Sequence, residues 1–128
     1  MALSKHIVLT VNGYSAKLSS PLKFFQNDQI QLEIEIVEST ITVKNGNATR
    51  ISLPINPLSA ILFFETPDGL DSVESSEIID NKVVFLLTSE HTKHVGISKM
   101  QIQLTDNDCC RLTLPEFKFE IKKNLQGN

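Results

Sequence analysis

Between Gln29 and Val37 apolar and polar residues alternate without a break. Ile30, Leu32, Ile34 and Ile36 are separated by Gln31, Glu33 and Glu35. Successive side chains of an extended chain point to opposite faces, so this spacing puts four apolar residues on one side and the polar ones on the other. A helix would scatter the same four around its circumference. The stretch is therefore a strand with one buried and one wet face.

The other strand signals follow from this one. His6–Val11 is β-rich and ends at Asn12-Gly13, a strong turn pair. Residues 14–22 are polar and interrupted by Pro21, which predicts a connection or a short edge piece. Ile61, Leu62, Phe63 and Phe64 make a short run that is apolar on both faces, and Pro67-Asp68-Gly69 closes it with turn chemistry. That run reads as a central strand. Ile41-Thr42-Val43 and Arg50–Leu53 flank Asn45-Gly46-Asn47, the pattern of a β-hairpin. Residues 72–80 read as a loop and a short strand, and Lys82–Leu87 as a buried strand. Thr88–Gly96 carries the signals of one helical turn, with Thr88 or Ser89 as cap. Ile97–Thr105 alternates again. In the last strand the apolar residues change from even to odd numbers across Pro115, which predicts a bulge or break there. The residues after Ile121 are polar and read as a fraying tail.

About seven or eight strands at short spacing, with one helical turn, predict an all-β, immunoglobulin-like sandwich of antiparallel strands. The 128 residues are the size of a single domain, with a core over residues 5–121 and a tail over 122–128. The net charge of −3 and the lack of any long basic run predict no nucleic-acid partner. No apolar stretch approaches the roughly 20 residues of a membrane span, and residues 1–6 carry no signal-peptide pattern. Both observations predict a chain made in the cytoplasm. The two cysteines, Cys109 and Cys110, are adjacent and form no disulfide framework.

No catalytic constellation of familiar spacing is present, so no catalytic, cofactor-binding or metal-binding residue is expected. His91 and His94, with Glu90 beside them, are three apart and would share a helical face; a polar surface cap accounts for them more simply. Asp28, Asp106 and Asp108 have calcium-ligand chemistry, but acids in turns usually serve the turn. Asn47-Ala48-Thr49 matches the glycosylation pattern, which has no use without secretion. Tyr14, the one tyrosine of the chain, would have to serve any sugar-stacking role.

A set of landmarks recurs in fixed order. Phe25-Gln26-Asn27-Asp28 leads into the alternating strand. Leu58-Ser59-Ala60 leads into Ile61–Phe64 and the Pro67-Asp68-Gly69 turn. Asn81-Lys82-Val83 opens a strand ending at Leu86-Leu87-Thr88, with Gly96 beyond, and Pro115-Glu116-Phe117-Lys118-Phe119 lies near the end. This order resembles the N-terminal domain of the upper baseplate proteins of siphophages infecting Gram-positive bacteria. There the corner typically reads Phe-Arg-Gln-Gly-Asp, a later strand ends in Pro-Asp-Gly, and the final strand carries a Pro-x-Phe-x-Phe-like pattern. Asn27 stands where glycine is frequent in that family; asparagine also tolerates positive φ.

The resemblance implies a non-enzymatic structural protein of a phage or phage-like tail baseplate. Such a protein is made in a bacterial cytoplasm and incorporated in the virion or tail particle. It would act by docking onto other baseplate or tail proteins in a symmetric homo-oligomeric assembly. The hairpin is longer than the family's usual connection, which makes Thr42, Val43, Lys44, Asn45, Gly46, Asn47, Ala48 and Thr49 the expected docking element. The competing expectation is a carbohydrate-binding module for cell-wall glycans. A small metal enzyme built on His91 and His94 is a further rival.

Overall fold

The computed structural model describes residues 3–12, 14–38, 51–52, 59–80, 82–105 and 111–125. The alternating stretch forms strand β4, Ile30–Glu38, and its periodicity is obeyed: Ile30, Leu32, Ile34 and Ile36 are buried while Gln31, Glu33 and Glu35 are half-exposed. The expected first strand is β1, Leu3–Asn12, and the edge piece is β2, Ser15–Leu18, followed by the short β3, Lys23–Phe25. Beyond β4 come β5, Ile51–Ser52; β6, Ser59–Thr66; β7, Gly69–Ile79; and β8, Lys82–Leu87. The chain ends in β9, Gly96–Thr105; β10, Arg111–Thr113; and β11, Phe117–Lys122.

The fold is all-β and sandwich-like, built from one continuous path of strands that curls into two layers. The first layer runs β2-β1-β4-β8 and ends on the second half of β7, with β5 beside the end of β4. The second runs from the first half of β7 through β6, β9 and β11 to β3, with β10 on β9. β7 belongs to both. Gly69–Glu74 pair with β6, Ser75–Ile79 pair with β8, and the register slips between Ser75 and Glu77. An extra residue bends a strand and raises its twist, which lets one strand turn the corner between layers. Hydroxyls meet backbone groups at that corner: Ala60 N–H donates to Ser75 Oγ at 3.2 Å and Ser76 Oγ to Val84 O at 3.3 Å.

Several details differ from the reading of the sequence. There are eleven strands among the described residues where seven or eight are expected. Two pairs are parallel, β1 with β4 and β3 with β11, so the sheet is mixed and not purely antiparallel. A parallel pair needs a long crossover; residues 13–29 supply it by way of β2 and β3, so β1 and β4 lie side by side. Residues 72–80 are not a loop but most of the eleven-residue β7. Its backbone is paired along its length, first with β6 and then with β8, while only Val73 and Ile78 pack against the core. With neither face deeply buried, the strand has no hydrophobic period to read. Thr88–Gly96 forms a turn rather than a helix: His91 N–H donates to Thr88 O at 3.0 Å, and no helical run follows.

Other expectations hold. The Ile61–Phe64 run is central, with β7 on one side and β9 on the other. Gly69 takes φ +125°, the positive value its turn demands. The chain breaks between β10 and β11 around Pro115, where the apolar parity switches. The core is one cluster fed by both layers, including Leu9, Ile34, Val83 and Phe85 from the first and Leu62, Ile102, Phe64 and Phe119 from the second. Phe119 sits edge-on to both Phe24 (6.5 Å between ring centroids) and Phe64 (6.3 Å), a geometry aromatic quadrupoles favour.

Candidate docking surfaces

The Phe25–Asp28 corner is a structural clamp. Asn27 has φ +68°, the left-handed value that asparagine tolerates and that glycine supplies without strain. Asp28 Oδ2 accepts the Phe25 N–H at 3.1 Å, so this carboxylate serves the turn. From the opposite loop Thr92, buried at 1% exposure, donates its hydroxyl to Asp28 O at 2.8 Å and accepts the Asn27 N–H on its carbonyl at 3.1 Å. Gln26 Nε2 reaches Lys93 O at 3.1 Å, and Asn124 Nδ2 reaches Gln26 O at 3.2 Å. One end of the sandwich is thus tied by hydrogen bonds that span 64 to 98 residues of sequence.

The two histidines have separate partners. His91 Nδ1 accepts the Thr88 N–H at 2.9 Å, and its ring stands edge-on to Phe64 at 5.8 Å, so it closes its own turn. His94 Nε2 lies 3.7 Å from Asp68 Oδ2, in the turn between β6 and β7. Among the described residues no group of three or more metal-ligating side chains converges. Tyr14 is fully exposed beside the turn from β1 to β2. Asp106, Asp108, Cys109 and Cys110 lie outside the described residues, as does the whole expected docking element, Thr42, Val43, Lys44, Asn45, Gly46, Asn47, Ala48 and Thr49. Its returning arm is placed: Ile51 and Ser52 pair with Glu38 and Val37, so the chain does fold back on β4.

The outer faces of the two layers differ. That of the first carries Gln31, Glu33 and Glu35 on β4, with His6 Nδ1 at 3.5 Å from Glu33 Oε2. Leu86, opposite Gln31 and 48% exposed, lies among these polar groups. That of the second carries exposed apolar residues, Leu70 at 77% and Ile97 at 70%, and the half-buried Phe63. Three clefts open around it, of about 690, 430 and 260 Å³, and Lys99 borders all three. Its ammonium lies 3.1 Å from Glu116 Oε1, and that hydrogen bond holds Lys99 above the usual lysine pKa. Sequence periodicity marks Ile97 only as a strand residue, and Leu70 falls just after the Pro67-Asp68-Gly69 turn with no pattern of its own. Their exposure depends on the layer each strand joins, which no local pattern encodes.

Among the described residues no helix is long and apolar enough to cross a membrane. No protein-family model matches the chain, and no curated protein matches it. Among solved structures the fold is similar to that of the "N-terminal domain of phage TP901-1 ORF48". The TM-score is 0.60 at 12% identity, and the match covers 94% of this chain and 100% of the other. At that identity the likeness is one of fold: over nearly its whole length, the chain is built like the N-terminal domain of a phage protein.

Proposed function

We propose that the chain is a structural subunit of a phage or phage-like tail baseplate that works by docking onto neighbouring subunits in a symmetric assembly. The observation that carries this reading is the near-complete fold match to a phage protein domain, which came from shape at 12% identity. The landmark order of the sequence points to the same source independently, and its corner and turn residues occupy structural joints: Asn27 and Gly69 both hold positive φ. A rigid sandwich with exposed apolar residues such as Leu70 and Ile97 offers surfaces for attachment within a particle. Closed point-group assemblies repeat a single such contact.

Within this reading, the segment from Thr42 to Thr49 is the first docking element to test. Deleting it in a lysogen that makes the particles is expected to leave the purified chain's unfolding midpoint unchanged and to reduce its incorporation into sedimented tails at least severalfold. The deletion leaves every described residue of the core cluster in place. Equal incorporation of the deleted and full-length chains would remove the segment from the docking surface. Absence of the full-length chain from the tails would remove the baseplate reading itself.

A further inference from the structure

The largest of these three clefts lies where the curled sheet fails to close. On one side is β2, whose residues Ala16–Leu18 line it; on the other is β11, with Glu116–Glu120. Both strands show the cleft an unpaired edge. The ladder between β1 and β2 continues with Ser19 N–H donating to Val8 O at 2.9 Å. Hydrogen-bonded and non-bonded pairs alternate in an antiparallel ladder. With Leu9 opposite Leu18 and Thr10 opposite Lys17, Lys17 therefore bonds to β1, while the N–H and C=O groups of Ala16 and Leu18 face the cleft.

On the far side, Glu120 N–H donates to Leu22 O at 3.0 Å and Lys122 O accepts the Gln26 N–H at 2.8 Å. By the same alternation Lys118 turns its N–H and C=O the same way. However, β3 pairs only with Glu120–Lys122. The chain leaves this lane around Pro21, which has no N–H to give. Lys118 has no backbone partner on that side among the described residues.

Charge narrows what fits. The chain as a whole is −3, yet Lys17, Lys23, Lys99 and Lys118 line the cleft against only Glu116 and Glu120. Those two carboxylates are matched by Lys99 at 3.1 Å and Lys23 at 4.0 Å. Lys17 and Lys118 are left as outward cations on the two facing edges. Lysines on open edges repel uncharged or basic strands, but they favour an acidic one. Leu18, Phe117 and Phe119 supply the apolar inner wall.

We infer that this cleft is a strand-addition site. It accepts an extended segment of another chain that carries acidic side chains outward at alternate positions and apolar side chains inward. The segment would extend the lane of β3, take backbone hydrogen bonds from Lys118 of β11 and cover the open edge of β2 at Ala16 and Leu18. This inference does not depend on the tail-particle reading, because it concerns the isolated protein.

The test uses three labelled heptapeptides titrated against the purified full chain: Glu-Val-Glu-Val-Glu-Val-Glu, the same peptide with Lys for Glu, and the acidic peptide N-methylated at its valines. The acidic peptide is expected to bind saturably and to slow amide exchange at Ala16, Leu18 and Lys118. The basic and methylated peptides should bind at least tenfold more weakly. The Lys17→Glu, Lys118→Glu double variant should keep its unfolding midpoint and lose the acidic peptide by at least tenfold. No binding of the acidic peptide, equal binding of the methylated one, or an indifferent double variant would each overturn the proposal.

Discussion

Phe85→Ala is expected to lower the unfolding free energy by about 3–5 kcal/mol, the usual cost of emptying a fully buried aromatic site. Phe85 has 0% exposure and sits in β8, with Leu32 of β4 opposite on one side and Ser75 of β7 on the other. The site is held from both sides by paired strands, so the surroundings have little freedom to collapse into the space. The cost falls in the upper part of the range for that reason. A domain of this size is stable by about 5–15 kcal/mol in total, so the variant is expected near the edge of folding at 37 °C. Urea unfolding measures it: the midpoint drops while the slope stays that of the parent. A loss below about 1 kcal/mol would show that Phe85 does not pack in the core as described.

The second large effect concerns a hydroxyl. Thr92→Val keeps the side-chain shape but removes the donor to Asp28 O. A polar group deprived of its partner away from water costs about 1–3 kcal/mol, whereas a surface substitution away from such contacts usually stays within about 0.5 kcal/mol. Thr113→Val, on the exposed β10, is the matched control and is expected to be near neutral. The Thr92 variant should also speed amide exchange at Asn27, whose N–H is held by the Thr92 carbonyl, because the clamp loosens on both sides. Equal stability of the two variants would mean that the clamp contributes nothing.

These two residues illustrate what the sequence could and could not disclose. Phe85 lies in a run of apolar residues whose burial is legible from composition and length alone. Thr92 lies in a polar stretch that signals a turn but gives no hint of a partner 64 residues away. The same division holds elsewhere. β4 is legible because one face is wet and one dry. β7 is not, because its hydrogen bonds to both layers leave no trace in side-chain polarity. The parallel pairing of β1 with β4 was hidden for a related reason: period two reports which face is buried, never which strand lies alongside.

The candidate surfaces were less legible still. Lys17 and Lys118 are ordinary exposed lysines in sequence, and only the failure of β3 to run further along β11 sets them across a gap. His91 and His94 were visible as a pair at helical spacing. The turn that replaces the helix gives each a separate partner, Thr88 and Asp68. The landmark residues carried more, because corners and turns demand special backbone angles wherever they occur. Asn27 and Gly69 sit at such angles.

The measurement that bears most directly on the central claim is quantitative mass spectrometry of tail particles sedimented from an induced lysate of the source cells. The baseplate reading predicts this chain in the pellet, at a simple integer ratio to the other proteins of the tail tip. Its recovery in the soluble fraction while intact tails sediment would contradict that reading and leave the likeness as one of fold, with binding to cell-wall glycans the next activity to measure.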